Sequence, residues 1–486
     1  MRHVLAIDEG TTGVRAMVFD ERSKLVASAY EEIATYYPRH GSVEHDALEI
    51  WEATRRVMGR ALATARVEPA KLSAIGVTNQ RATTILWDRR TGVPLHPAIG
   101  WQDSRTQERV AELLSQGIFV NTMASATKLE WMLANLEDGF ARAERGELCF
   151  GTIDSWLVWR LSGGRVHVTD HSNASCTGLY DFVLGRWDEN ALGHLRLPAS
   201  LFPRIAESSE RYGETDPETC GAKVPIAGIA GDQQAAMFGE LGVERGAVKI
   251  TFGTSAMVDV NVGEFPVISQ HGAYPLVLWT LGGQRILCLE GTVMTAGAAV
   301  QWLRDGLGVI DSAEESAHLA SSVPDTGGVW SVPAFQGLGT PHMDPAGRAV
   351  IGGLSRSTTR AHVVRAVLEG IAYRSREVLD ALMQDVQVAR PEVLRVDGGA
   401  AANDFLLQML ADALGQPVER PETVQATALG AAYLAGLAGG VWQSVDELRH
   451  AWRSGGVFEP RAGSSEREER FARWRQAVNA ARLGSV

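Results

Sequence analysis

Three short Gly-rich turns carry the residue types that bind phosphate, and the first runs from Asp8 to Gly13 between two strand-like segments. A Gly-rich hairpin tip exposes backbone N–H groups that form an anion-binding nest. Thr11 and Thr12 add hydroxyl donors, and Arg15 adds a charge that neutralises phosphate. Asp8 is a candidate ligand for Mg²⁺ through water, because that ion keeps several waters and takes few protein ligands.

The second and third turns repeat this chemistry later in the chain. Thr251–Ser255 again combines glycine with hydroxyls between two strand-like runs, and Asp397–Asn403 stands where a helix is predicted to begin. The positive end of a helix dipole suits an anion or a nucleotide. Each turn alone is also compatible with an ordinary tight turn. The three together favour phosphate binding, although none fits the Walker pattern or a G-x-G-x-x-G fingerprint.

Asp232 is the candidate general base. It lies in Ala230–Ala235, between a predicted strand and a predicted helix. Phosphoryl transfer from ATP needs positioning, Mg²⁺ and a group that accepts the hydroxyl proton, and an aspartate can take that role. The alternative for Asp232 is a helix N-cap that accepts N–H groups two or three residues further on.

Short β-branched runs alternate with helical patterns, which predicts an α/β fold. His3–Ile7, Arg15–Asp20 and Lys24–Ser28 predict a meander, and a helix is predicted to follow the capping-box pattern Asp46–Glu49. The order of strand and Asp-Gly turn recurs in the second half, so a domain boundary is predicted near residue 240. The charged stretch Arg461–Arg473 is predicted to be a surface helix.

Composition excludes several classes of protein. The 486 residues are 45% hydrophobic and carry a formal charge of −12, which fits a globular chain and gives no basic patch for nucleic acid. No apolar run approaches the roughly 20 residues that cross a bilayer, and no signal peptide is recognisable. The four cysteines lack metal-ligand or redox spacing. The prediction is a cytoplasmic protein with no nucleic-acid or membrane partner.

With these motifs in place, the chain resembles the FGGY carbohydrate kinases, and among them the glycerol kinases most closely, nearly from end to end. The stretches that carry the resemblance include Gly76–Arg81, Gly151–Trp156, Val166–Asp170, Asn173–Ser175, Gly228–Ala236, Ala296–Arg304, Val332–Phe335, Arg395–Gly399 and Thr427–Gly436. The resemblance implies two actin-like (ribonuclease-H-like) lobes around a nucleotide and substrate cleft. Residues 1–240 would form the polyol-binding and phosphate-binding lobe, and residues 241–486 the nucleotide-binding lobe. It also implies a homodimer or homotetramer, between which no sequence feature decides.

The resemblance assigns roles residue by residue, with ATP and Mg²⁺ as cofactors. Asp232 would be the base, Asp8 would attend the metal, and Arg81, Trp101, Asp232 and Gln233 would meet the polyol. Nucleotide contacts would come from Thr11, Thr12, Arg15, Gly253, Thr254, Gly297, Gln301, Gly399 and Asn403. The implied reaction is phosphoryl transfer to a hydroxyl of glycerol, giving glycerol 3-phosphate.

Two departures from the glycerol-kinase pattern keep a second acceptor class open. Glycerol kinases have Glu where this chain has Ala82, and they carry a substrate-contacting Tyr in a loop that Asn121–Lys128 replaces without one. Each lost polar partner is expected to weaken hydroxyl binding by roughly 1–3 kcal/mol. The alternative acceptor is therefore a tetritol, a pentitol or a ketopentose. Glu9 stands where glycerol kinases have Gln, and its effect is not predicted.

Two further alternatives use the same phosphate turns. One is a nucleotide-driven clamp of the actin or heat-shock-chaperone type, which would have no use for the turn at Asp232 or for Trp101. The other is a degenerate kinase that only senses ligand, which would have lost its base or a phosphate turn. Because this chain keeps all of these features, an active kinase is the prediction.

Overall fold

A computed structural model describes residues 2–422 and 425–483, and the chain divides into two compact units. The first unit comprises the described parts of Met1–Leu241, Leu276–Ile286 and Thr427–Ala451. The second comprises those of Gly242–Pro275, Leu287–Ala426 and Trp452–Val486. Within the described ranges no helix is long and apolar enough to cross a membrane.

The first unit is built on a six-stranded mixed sheet. Its strands, in spatial order, are Ser209–Glu214, Pro225–Gly231, Leu72–Asn79, His3–Gly10, Gly13–Asp20 and Leu25–Glu32. His3–Gly10 pairs antiparallel with Gly13–Asp20 and parallel with Leu72–Asn79, which in turn pairs parallel with Pro225–Gly231. Val4 to Ile7 are fully buried on both faces of the sheet, as a run of apolar residues in a central strand requires.

Helices cover this sheet, and the longest is Ala47–Ala65. Asp46 caps it by accepting the N–H groups of Leu48 and Glu49, as predicted. The reciprocal half of the predicted capping box is not formed, because the Glu49 carboxylate accepts the N–H of Ala34 at 3.0 Å instead. The other helices are Gln107–Ser115, Ala126–Ala134, Gly139–Glu144, Ile153–Leu161, His171–Ser175, Glu189–His194, Pro217–Cys220, Asp232–Gly239, Ala426–Ala438 and Val445–Ala451.

Short strands complete the first unit in two-stranded ladders. They are Glu44–His45 with Ala98–Ile99, Ile85–Asp88 with Leu148–Gly151, Val168–Asp170 with Arg204–Ala206, and Tyr180–Asp181 with Arg186–Trp187.

The second unit repeats the strand order of the first. The seven-stranded sheet runs Tyr274–Leu281, Gln284–Val293, Ala256–Gly263, Val248–Phe252, Leu394–Asp397, Val418–Pro421 and Ser454–Phe458. The last five of these strands lie wholly in the second unit. As in the first sheet, three antiparallel strands lead into two parallel strands and an antiparallel edge strand. Its helices are Gly297–Asp305, Glu315–Ser321, Arg360–Val386, Asp404–Leu414 and Ser464–Leu483, with a ladder of Trp330–Val332 and Val350–Gly352.

The repeated strand order confirms the predicted α/β fold of two actin-like lobes. The predicted surface helix Arg461–Arg473 is present from Ser464, and its side chains are exposed or half-buried except that of Phe471. The helix extends beyond the predicted range to Leu483 and has a buried face. Phe471, Trp474 and Val478 of Ser464–Leu483 are buried, and they pack in one cluster with Tyr373. The charged residues of its first turns masked this apolar stripe, whose spacing of three and four residues is that of a helix face.

Candidate functional site

The first phosphate turn is a two-residue hairpin. Gly10 and Gly13 pair across the ladder and leave Thr11 and Thr12 at the tip. A β-carbon on Gly13 would lie 2.5 Å from the Tyr30 hydroxyl oxygen and 2.6 Å from the Glu31 carbonyl oxygen, so this position excludes any side chain. Asp8 and Arg15 are direct neighbours across the same ladder. The sequence had predicted this turn and its strands, and both are present.

Asp8, Arg81 and Asp232 lie at one edge of the first sheet. Asp8 is in register with Thr78, and Thr78 with Ala230, so three parallel strands end side by side. Arg81 follows the second of these strands, and Asp232 follows the third. Carboxyl ends of parallel strands are where α/β folds place ligands.

Arg81 and Asp232 form an ion pair, with Arg81 Nε 3.1 Å from Asp232 Oδ1. Asp232 is the first residue of helix Asp232–Gly239, and its Oδ1 also accepts the N–H of Gln233 at 2.8 Å. The N-cap alternative for Asp232 is wrong, because Gly231 is the N-cap and no side chain caps this helix. The Asp232 side chain keeps 33% of its surface exposed, which leaves its carboxylate accessible to a substrate hydroxyl.

Two buried carboxyl groups dominate the electrostatics beside this pair. Burial raises the pKa of Asp8 to about 6, against the opposing charge of Arg15, and the negative charge of Asp232 raises it further. Burial also raises the pKa of Glu9 well above its usual range. Glu9 Oε1 accepts a hydrogen bond from Gln80 Nε2 at 3.0 Å, while Glu9 Oε2 has no partner among the described residues. Because the negative charge of Asp232 raises the pKa of Asp8, the protonation states of these two carboxyl groups are linked.

Trp101 is fixed from two sides. Its indole Nε1 donates to Thr11 Oγ1 at 3.2 Å. This hydrogen bond links Trp101, a predicted polyol contact, to the first phosphate turn. The Trp101 carbonyl oxygen accepts a hydrogen bond from Lys128 Nζ at 3.0 Å. Lys128 also donates to the carbonyl oxygens of Gly100 and Met123, at 2.9 and 3.0 Å.

Sequence reasoning missed Lys128. Its side chain is fully buried, and burial lowers its pKa to about 7, while three carbonyl oxygens accept the three protons of the ammonium form. The available signal was a single lysine on the apolar helix Ala126–Ala134. Ala82 directly follows Arg81 in a left-handed conformation, with φ of 59°, and is 4% exposed.

In the second unit, the turn at Gly253 and Thr254 meets the start of helix Gly297–Asp305. Gly297 N donates to Gly253 O at 2.9 Å, and Ala298 N donates to Thr254 O at 3.0 Å. A β-carbon on Gly297 would lie 2.5 Å from Gly253 O, so glycine is required for this approach. Gln301 follows one turn later on the same helix and is exposed.

The third turn packs against the second. Gly398 has φ of +87°, and a β-carbon there would lie 2.4 Å from the carbonyl oxygen of Phe252. Gly399 faces open space. Asn403 caps helix Asp404–Leu414 by accepting the N–H of Leu406 at 3.0 Å, and its amide nitrogen donates to Ser316 Oγ at 3.0 Å.

The predicted site residues therefore form two groups. The first unit contains Asp8, Thr11, Thr12, Arg15, Arg81, Trp101, Asp232 and Gln233. The second unit contains Gly253, Thr254, Gly297, Gln301, Gly399 and Asn403. Gln301 lies one turn along the helix that Gly297 begins, and Gly253, Gly297 and Gly399 lie on or beside turns that pack against each other.

Comparisons with known proteins agree with this architecture. Models of the FGGY family of carbohydrate kinases match the chain with their N-terminal domain at residues 3–239 and their C-terminal domain at residues 248–439. A glycerol kinase of Petrotoga mobilis is 47% identical, covering 99% of this chain and 98% of that protein. Glycerol kinase 2 of Thermotoga maritima is 46% identical over 99% of this chain and 98% of that protein.

A solved structure is similar over the same length. The crystal structure of Plasmodium falciparum glycerol kinase with ADP has a TM-score of 0.92 and 32% identity, covering 99% of this chain and 98% of that one. The chain matches both family domains, and its identity to two relatives exceeds 45% over nearly its full length. These matches and the similar solved structure agree with the two sheets described above, each of which carries phosphate turns. This chain belongs to the FGGY family of carbohydrate kinases.

Proposed function

We propose that the protein transfers the γ-phosphoryl group of ATP to a terminal hydroxyl of glycerol and releases glycerol 3-phosphate and ADP. The observation that carries the proposal is the Arg81–Asp232 pair, at 3.1 Å, beside Asp8 at the carboxyl edge of the first sheet. The similarity to glycerol kinases of two bacteria over nearly the whole chain supports glycerol as the acceptor.

In the proposed reaction, Asp232 accepts the proton of the attacking hydroxyl. The hydroxyl oxygen forms a bond to the γ-phosphorus, and the bond from that phosphorus to the bridging oxygen of ADP breaks. Arg81 orients the Asp232 carboxylate and offers further N–H donors to the polyol. Trp101 supplies a flat apolar surface for the carbon chain, and Gln233 supplies an amide at the start of the same helix as the base.

Each group of phosphate turns carries groups that suit the phosphates of a nucleotide. Thr11, Thr12 and Arg15 offer hydroxyls and a guanidinium to its phosphates. The second turn offers the N–H group and the hydroxyl of Thr254, and hydrogen bonds from Gly297 N and Ala298 N to its carbonyl oxygens hold the turn in place. Gln301, Gly399 and Asn403 complete the proposed nucleotide contacts.

Mg²⁺ fits the residues present. Asp8 is a carboxylate whose raised pKa marks an unfavourable negative charge that a cation would relieve. Within the described ranges no group of three or more His, Cys, Asp or Glu side chains is arranged to hold a metal. Mg²⁺ is usually bound through one or two carboxylates plus water and substrate phosphates, so a single Asp8 suffices. When bound, the ion would neutralise charge on the phosphates.

Ala82 favours a second candidate acceptor, a larger polyol or sugar. The side chain there ends at its β-carbon, so it offers no polar atom to a hydroxyl. The experiment is ADP release from Mg-ATP by the purified chain, with glycerol, dihydroxyacetone, erythritol, ribitol, xylitol, D-xylulose and L-ribulose tested in parallel. We expect the highest kcat/KM with glycerol. Turnover confined to a four- or five-carbon acceptor would assign the second class, and no turnover with any acceptor would overturn the proposal.

A further inference from the structure

Asp170 collects five hydrogen bonds at a fully buried carboxylate, although no role in the reaction accounts for it. Its Oδ1 accepts from Ser172 Oγ at 2.8 Å, from Asn173 N at 2.9 Å and from Asn173 Nδ2 at 3.1 Å. Its Oδ2 accepts from Ser172 N at 3.1 Å and from Ser208 Oγ at 2.7 Å. All of these partners except Ser208 belong to the short helix His171–Ser175.

One chain of hydrogen bonds leads from Asp170 to the candidate base. The Ser172 hydroxyl donates to Asp170 and at the same time accepts the N–H of Gly231 at 2.9 Å. Gly231 is the N-cap of the helix that Asp232 begins, so its peptide plane sets the direction in which Asp232 leaves the strand. Ser172 and Asp170 are both 0% exposed, and no solvent competes for these bonds.

A second chain leads from the same carboxylate to Arg81. Asn173 donates to Asp170 and accepts, at its Oδ1, a hydrogen bond from Asn79 Nδ2 at 3.0 Å. Asn79 Nδ2 also donates to the carbonyl oxygen of Gln80 at 2.9 Å. Gln80 is the residue directly before Arg81.

We propose that Asp170 is a positioning residue that holds Asp232 and Arg81 in register with each other through two separate arms, Ser172–Gly231 and Asn173–Asn79–Gln80. The inference rests on the proposed function, because it assigns the two ends of the network to the base and to the acceptor contact. A shared buried anchor fixes both groups on rigid elements, and a 1 Å misplacement of a reacting group can cost about 100-fold in rate.

The two arms make different kinetic predictions. Ser172→Ala removes the link to Gly231 and should lower kcat about 10- to 100-fold, with the KM for glycerol within about twofold of wild type. Asn173→Ala removes the link to Asn79 and should act mainly on the KM for glycerol, which we expect to rise about tenfold. The Kd for ATP, measured by calorimetry, should stay within about twofold in both variants, since neither arm reaches the phosphate turns.

Ser208→Ala is the matched control. Ser208 donates to the same carboxylate, is equally buried, and continues to Thr280 N at 3.2 Å rather than to the site. It should lower the melting temperature as much as Ser172→Ala does while keeping kcat and KM within about twofold of wild type. Assays are run on the full chain well below the lowest melting temperature of the set.

The outcomes separate the inference from the proposed function. If wild type releases no ADP with glycerol, the proposed function fails. If wild type is active and Ser208→Ala loses as much kcat as Ser172→Ala, Asp170 is a stabilising residue only and the inference is overturned. If Ser172→Ala does not fold, Asn173→Ala decides alone: a selective rise in the KM for glycerol supports the arm to Arg81, and equal losses of kcat with Ser208→Ala overturn it.

Discussion

The Nε atom of Arg81 lies 3.1 Å from Oδ1 of Asp232, although the two residues are 151 positions apart in the sequence. Arg81 follows Leu72–Asn79, and Asp232 follows Pro225–Gly231, and these two strands are parallel neighbours. The pair therefore results from the sheet topology, because the two neighbouring strands end at the same edge. A carboxylate held in this way is already oriented to accept a proton, so no entropy is lost in orienting it.

Replacing Ala82 with Glu should lower the KM for glycerol about tenfold, because a carboxylate that accepts a hydrogen bond from a substrate hydroxyl contributes roughly 1–3 kcal/mol. The measurement is the KM for glycerol at saturating Mg-ATP. Ala82→Leu is the control, since it lengthens the side chain without a polar atom and should not lower the KM. An unchanged or higher KM in Ala82→Glu would show that the pocket is built around another acceptor.

Replacing Asp8 with Asn should raise the apparent melting temperature at pH 8 and have little effect near pH 4. The pKa of Asp8 is raised from 3.8 to about 6 by burial, so its contribution to stability is present below pH 3.8 and is lost as the pH rises through about 6. An amide avoids that loss. Thermal unfolding from pH 4 to 8 measures the difference.

The control for this experiment is Asp446→Asn, whose side chain is 88% exposed. Its melting temperature should follow that of wild type across the range. A difference for Asp8→Asn that does not grow with pH would contradict the burial of a charged Asp8.

Replacing Lys128 with Met should raise the KM for glycerol about tenfold and leave the Kd for ATP unchanged. Methionine fills similar volume but releases the carbonyl oxygens of Gly100, Trp101 and Met123, so the Trp101 segment loses its anchor. Steady-state kinetics and calorimetry separate the two effects. Lys71→Met, at an exposed position, should change neither quantity, and an unchanged KM in Lys128→Met would remove Lys128 from acceptor binding.

Replacing Gly297 with Ala should weaken ATP binding about tenfold, because the added methyl group would lie 2.5 Å from Gly253 O and displace the second phosphate turn. Calorimetric titration with ATP measures the Kd. Gly59→Ala, in helix Ala47–Ala65, has nothing within 4 Å of the added carbon and serves as the control. Equal affinities in the two variants would show that this turn does not bind the nucleotide.

Local patterns in the sequence predicted much of the fold. The strands His3–Gly10 and Val248–Phe252 and the helix that starts after Asp46 follow from β-branched runs and a capping residue, which act over a few residues. Gly-rich turns could be recognised for the same reason, since glycine marks the positions where a backbone comes close to another group.

Contacts between distant segments could not be predicted in this way. Asn79 and Asn173 are 94 positions apart, and only the folded chain shows that they bridge Asp170 to Arg81. Lys128 is the single lysine of helix Ala126–Ala134, and the three carbonyl oxygens around it come from segments that its own helix does not reveal. Such networks depend on which side chains the topology brings together, and no local spacing encodes that choice.

The central claim is that Asp232 accepts the proton of glycerol during phosphoryl transfer, and formation of glycerol 3-phosphate by Asp232→Asn tests it most directly. The amide keeps the shape of the side chain but cannot take the proton, so we expect kcat to fall by a factor of about 100 to 10,000 with the Kd for ATP unchanged. Asp138→Asn, at an exposed turn, should retain wild-type turnover. Near-normal kcat in Asp232→Asn would contradict the account.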